Sequence, residues 1–103
     1  MNLSNGTILI TGASSGFGAA TAKLIAQRWP SAHFILTGRR QDRLLENAAA
    51  IGKDRCLVCA FDIRDRAAVE AFAKENAESL AKVSVLVNNA GLAAGLDSFQ
   101  EAS

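Results

Sequence analysis

The sequence predicts an α/β fold: a doubly wound parallel sheet with helices on its faces. Three observations predict it. Four short β-rich runs alternate with three stretches of helical period, in the order βαβαβαβ. Each run is almost continuously apolar, as in strands covered on both faces, rather than alternating as in a sheet with one wet face. A glycine-rich segment, TGASSGFG at 11–18, separates the first run from the first helical stretch.

The first strand is expected at Thr7–Thr11 (TILIT). In the helix after it, Phe17, Ala20, Thr21, Leu24, Ile25 and Arg28 follow the i, i+3, i+4 spacing of a buried stripe, and Trp29-Pro30 ends it. The second strand is expected at His33–Thr37 (HFILT). The second helix carries Leu44, Leu45, Ala48 and Ile51 inward, with Gly52 as its C-terminal stop. The third strand is Cys56–Phe61 (CLVCAF), followed by one helix with an inward stripe of Val69, Phe72, Ala73, Asn76 and Leu80 and Asp65 as N-cap. The fourth strand is Val83–Val87 (VSVLV). After Gly91 the periodicity dissolves into LAAGLDSFQEAS, which reads as a loop or the beginning of another helix. No repeat or internal linker divides the chain, so residues 1–103 are expected to be one domain.

Composition narrows the function. Half the residues are apolar, a fifth are charged, and the formal net charge is +1, which argues against nucleic acid or an acidic membrane surface as partner. No apolar run approaches the roughly 18 residues of a membrane span, and no basic n-region precedes the glycine segment, so a cytoplasmic location is expected. Cys56 and Cys59, three residues apart on a strand, point to opposite faces. Neither a mutual disulfide nor a metal site is expected, and both read as small buried apolar residues. His33 has no nucleophile in useful context, and Lys23, Lys53, Lys74 and Lys82 fall on solvated faces or loops, so no catalytic residue is expected within the chain.

The glycine segment is the centre of the functional reading. A helix N-terminus offers unpaired N–H groups and the positive end of a dipole, an arrangement suited to a diphosphate. Gly12 permits a tight exit from the strand, Gly16 lets the diphosphate approach the backbone, and Gly18 lets helix and sheet pack closely. Ser14 and Ser15 can cap the helix or donate to phosphate oxygens. A glycine triplet alone also fits a strand-to-helix turn without a ligand, but here a strand precedes it and a helix follows.

At the end of the second strand, where a carboxylate would bind the ribose 2′-hydroxyl of NAD, the chain has Thr37-Gly38-Arg39-Arg40. Guanidinium matches a 2′-phosphate in charge and geometry, so NADP is expected over NAD. The bland alternative is that Arg39 and Arg40 merely begin a solvated helix.

With Asp62-Ile63 closing the third strand and Asn88-Asn89-Ala90-Gly91 closing the fourth, the combination TGASSGFG…TGRRQDRL…FDIRDR…LVNNAGLA resembles the short-chain dehydrogenase/reductase family. It is most similar to the NADP-dependent hydroxy-acid, or serine-type, dehydrogenases of that family. The resemblance implies a Rossmann-type sheet in the order 3-2-1-4. Gly12, Ser14, Gly16, Phe17 and Gly18 would surround the diphosphate. Arg39 and Arg40 would take the 2′-phosphate and the adenine face. The Asp62 carboxylate would reach the adenine amino group with the Ile63 N–H beside it. Asn88 would lie under the ribose, Ala90 and Gly91 would line the nicotinamide side, and Asn89 would be a scaffold residue. Alone, Asp62 would more often be a cap or a solvated acid.

The same resemblance implies a catalytic Ser, Tyr and Lys, yet this sequence contains no Tyr. The expectation is therefore the first half of a longer oxidoreductase that acts on a small hydroxy or carbonyl compound and forms dimers or tetramers when full length. Strand four would then be an open apolar edge. The alternatives are a non-catalytic nucleotide-binding half-domain and an NADP sensor.

Overall fold

The computed structural model describes residues 3–89. Five-residue β1 (Thr7–Thr11) leads through the glycine segment into α1 (Gly16–Arg28), then β2 (His33–Gly38) and α2 (Gln41–Ile51). A single 3-10 turn at Lys53–Arg55 enters β3 (Cys56–Ala60), followed by α3 (Arg66–Glu75), α4 (Ala77–Leu80) and β4 (Val83–Asn88). The four strands form one parallel sheet in the order β3-β2-β1-β4. That is the expected Rossmann-type arrangement, with strand ends within a residue of those read from the sequence.

Register brings the four carboxyl ends to one lip. Thr11 pairs with Asn88, and Gly38 pairs with Ala60. The backbone continues the lattice beyond the strands, with Ala13 N–H donating to Thr37 O at 2.9 Å and Phe61 N–H to Gly38 O at 2.8 Å. The core lies between the two central strands and the α1/α2 layer. Ile8, Ile10, Phe34, Leu36 and Leu44 are its large members.

Packing corrects four expectations. First, α1 turns most of its expected stripe outward: of its large apolar side chains only Ile25 packs on the core. Its buried residues are Gly18, Ala22 and Ala26, whereas Phe17 and Leu24 are each 67% exposed. The cause is the tight approach at the start of α1: a Cβ on Gly18 would run into Gly12 O and lie 3.0 Å from the Ala13 Cα, so the helix meets the sheet through its small-residue face. Second, Leu45 of α2 faces outward, and half-buried Asn47 completes the inward stripe with Leu44, Ala48 and Ile51. Third, the single expected third helix is broken at Asn76. Its side-chain amide and backbone N–H both donate to Phe72 O, at 2.9 and 3.0 Å, which ends α3 and leaves α4 to start anew. Fourth, only the central strands are covered on both faces. β3 and β4, at the sheet edges, have no fully buried residue, and α3 buries none either.

The cysteines follow the same pattern. Both are free thiols but only half-buried. Burial raises the Cys56 thiol from 9.0 to about 11, and burial followed by the nearby Glu75 carboxylate raises that of Cys59. Among the described residues no helix is long and apolar enough to cross a membrane.

Opposite the lip, Arg55 joins the amino ends of the strands to the helix ends. Its Nε donates to Ala32 O at 2.8 Å, one terminal nitrogen to Trp29 O at 2.9 Å and the other to Ile51 O at 3.5 Å, while the guanidinium stands 5.4 Å from the Phe34 ring centroid. The planar fork thus serves carbonyls at the C-terminal ends of both α1 and α2, which lack intrahelical partners or lie just beyond them.

Candidate functional site

The glycine segment turns as its sequence requires. Gly12 has φ of 66°, the left-handed region that only glycine enters without strain. Ser15 is the N-cap of α1: its Oγ accepts from Gly18 N–H at 3.0 Å and donates to Gly12 O at 2.8 Å. That hydroxyl is committed to the loop. Ser14, half-buried, makes no such internal bond among the described residues, and its side chain lies against Gly38. A Cβ on Gly38 would stand 2.5 Å from Ser14 Oγ and 3.0 Å from Ser14 N, so a side chain at the end of β2 would force Ser14 to give way. A Cβ on Gly16, by contrast, would find nothing within 4 Å. The N-terminus of α1 therefore opens onto free space at Gly16. Phe17 stands exposed at its rim.

Around the loop the lip is continuous. On one side Thr11 Oγ1 donates to Asn88 Oδ1 at 2.8 Å, which fixes the Asn88 amide across the β1–β4 pair. On the other side Arg39 and Asp62 come together, Nε to Oδ2 at 4.0 Å. Arg64 grips the same carboxylate more closely: Nε to Oδ1 at 3.2 Å, a terminal nitrogen to Oδ2 at 3.0 Å and its backbone N–H to Oδ1 at 2.9 Å. The Arg64 guanidinium, and after it the Arg64 N–H, hold Asp62 at about 2, down from 3.8. Asp62 is thus a permanent anion at neutral pH. Arg40 turns the other way, along α2, to Asp42 at 3.4 Å. The structure places Arg39, but not Arg40, against the acid at the end of β3. Ile63 is exposed beside it.

Asn89 is buried, and its side-chain nitrogen has no hydrogen-bond partner among the described residues. Ala90 and Gly91, expected on the nicotinamide side, lie outside the described residues, as does the loop or helix start expected after them. Three contributors were missed in the sequence. Thr11 and Arg64 act through partners next to them in the fold that no spacing rule announces. Asn47, which donates to Ala13 O at 2.8 Å, did leave a signal: an amide at the i+3 position of an otherwise apolar helix stripe. His33 and the four lysines noted above are exposed, and among the described residues no three His, Cys, Asp or Glu side chains gather as a metal site would.

Chemically, this lip presents backbone N–H groups and a helix dipole at Gly16, a cation at Arg39, and fixed acceptors at Asp62 and Asn88. It can hold an anionic, hydrogen-bonding ligand laid across the strand ends, the place where open parallel sheets bind ligands.

The family model described as short chain dehydrogenase matches residues 6–103. Serine 3-dehydrogenase of Agrobacterium fabrum is 46% identical over 92 residues, 88% of this chain and 35% of that protein. The NADP-dependent 3-hydroxy acid dehydrogenase of Escherichia coli (strain K12) is 38% identical over 96 residues, 93% of this chain and 38% of that protein. L-sorbose reductase from Gluconobacter frateurii, solved in complex with NADPH and L-sorbose, superimposes with a TM-score of 0.73 at 35% identity, over 86% of this chain and 34% of that one. The chain therefore spans between a third and two-fifths of the length of these relatives.

Proposed function

The chain belongs to the short-chain dehydrogenase family, and from that premise we propose that it is the NADP(H)-binding part of an oxidoreductase. The whole protein would interconvert a small alcohol, a 3-hydroxy acid such as serine, and its carbonyl by hydride transfer. It would do so in the cytoplasm as a dimer or tetramer. The observation that carries the reading is the open helix N-terminus at Gly16 flanked by Arg39 and Asp62 on one lip. The relatives named for NADP dependence and for hydroxy acids support it.

The residues fit the dinucleotide. The diphosphate would lie over Gly16, with Gly12 and Gly18 shaping the turn, Ser14 as hydroxyl donor and the first-turn N–H groups around Phe17 beneath it. Ser15 would contribute by holding the loop. Arg39 would meet the 2′-phosphate, and Arg40 would join it by exchanging its exposed Asp42 contact, a pair of small energetic weight. Asp62 and the Ile63 N–H would read adenine, Asn88 the ribose, and Ala90 and Gly91 the nicotinamide side. The bound nicotinamide supplies or accepts the hydride. This chain's part is to orient it.

The alternative reading is a nucleotide-binding half-domain without catalysis or an NADP sensor. One experiment separates the two. NADPH and NADH binding is measured by calorimetry, while NADPH absorbance is followed with hydroxy-acid substrates. The NADP(H) reading expects NADPH to bind at least about tenfold more tightly than NADH, from charge-assisted bonds to one phosphate. Equal binding would overturn it. Turnover by the 103-residue chain itself would exclude the inert half-domain.

A further inference from the structure

We propose that Asn47 is a positioning residue for the diphosphate loop, acting from α2 at a distance of 34 residues in sequence. The inference rests on the dinucleotide reading of that loop and adds a residue to it. Asn47 occupies a place where packing alone would select an apolar side chain: Leu44 and Ala48 beside it are buried, and Ile51 packs on the core. Instead its amide crosses to the buried Ala13, donating to Ala13 O at 2.8 Å.

The geometry of the loop gives this bond its leverage. The loop closes on itself through Ser15 N–H to Gly12 O at 3.2 Å, Ser15 Oγ to Gly12 O, and Gly18 N–H to Ser15 Oγ. Among the described residues, two bonds tie that self-closed turn to other elements, both at Ala13. Its N–H reaches Thr37 O in β2, and its C=O receives Asn47 from α2. A peptide is planar, so fixing the Ala13 C=O also fixes the direction of the Ser14 N–H. Asn47 thereby sets the plane from which Ser14, Ser15 and Gly16 continue toward the open space above α1. Without it the turn keeps its internal bonds but loses its heading.

The test uses Asn47→Ala, which suits a helix, and the isosteric Asn47→Asp, which cannot donate to a carbonyl when ionised. Dissociation constants are measured for NADPH and for adenosine 2′-monophosphate, which meets Arg39 and Asp62 but has no diphosphate. We expect NADPH to weaken about tenfold in Asn47→Ala and further in Asn47→Asp, with the monophosphate within about twofold of the parent. Unchanged NADPH binding in both variants, or parallel weakening of both ligands, would overturn the proposal. Hydrogen exchange on the ligand-free chain is the independent arm: the amides of Ser14–Gly18 should exchange faster in Asn47→Ala while those of β1 and β2 do not. Unchanged loop exchange would also overturn it. Failure of the parent chain to bind NADPH counts instead against the dinucleotide reading.

Discussion

Gly16 and Gly18 sit two residues apart in the same helical turn, yet alanine should have opposite effects at the two positions. At Gly18 a Cβ would collide with Gly12 O, stand 2.9 Å from Gly12 C and lie 3.0 Å from Ala13 Cα, all backbone atoms that cannot rotate aside. Relief requires moving α1 off β1, and overpacking of this kind costs roughly 1–3 kcal/mol or more. For a domain of this size that corresponds to a fall in Tm of about 4–8 °C per kcal/mol. At Gly16 the same methyl meets nothing within 4 Å, and the residue is the first of α1 after its cap. Replacing a helical glycine by alanine stabilises by about 0.5–1 kcal/mol, less at a first position. Gly16→Ala should therefore melt at or slightly above the parent temperature, whereas Gly18→Ala should melt well below it. Ligand binding should not follow stability. The added methyl in Gly16→Ala occupies the space assigned to the diphosphate, so NADPH should weaken at least about tenfold in the more stable variant. Thermal denaturation and calorimetric titration on the same samples check both halves. A Gly16→Ala chain that binds NADPH like the parent would refute the placement of the ligand over α1.

Further outcomes are expected. Arg39→Ala should remove most of the preference for NADPH over NADH. In the parent that preference should shrink as pH falls through about 6, where the 2′-phosphate gains a proton; Asp62, held at about 2, stays charged throughout, so a transition near pH 4 in the binding profile would contradict its pairing with Arg64. Arg55→Ala should lower stability by about 2–3 kcal/mol through its carbonyl bonds, and Arg55→Lys should recover less than half, because an ammonium cannot span the three positions; denaturant midpoints decide it, and a full recovery by lysine would refute the fork argument. Cys56, with its thiol raised to about 11, should be alkylated by iodoacetamide at pH 8 far more slowly in the folded chain than in urea. Its thiol remains protonated through the window from 9 to 11 where an unfolded cysteine ionises, so folding stability should decline with rising pH across that same window.

The strands were legible because a doubly covered strand has few alternatives to a continuous apolar run, and Gly12 and Gly52 marked turns that do adopt positive φ. Helix faces were less legible. Apolar periodicity weighs side chains by size, and in α1 it selected Phe17 and Leu24, whereas the structure requires small residues where helix and sheet touch. Burial of the outer strands was overestimated for a related reason: an apolar strand sequence cannot say whether it lies at the middle or the edge of a sheet. The site was legible where backbone geometry demanded a residue type, at Gly12 and Gly18, whereas the need for a small residue at Gly38 emerged only from its contact with Ser14. It was illegible where a long side chain chose among partners. Arg40 selected Asp42, two residues away, and Arg64 took Asp62, neither of which follows from the order of residues alone.

Arg55 ties down the carbonyls of Trp29, Ala32 and Ile51 at the amino ends of the strands, while Gly16, Arg39, Asp62 and Asn88 lie at the carboxyl ends. The molecule is fastened at one pole and receptive at the other. On the proposed reading, exchanging the charged residues around Arg39 and Asp62 should change which nucleotide is accepted while leaving the Arg55 bonds, and with them the melting temperature, in place.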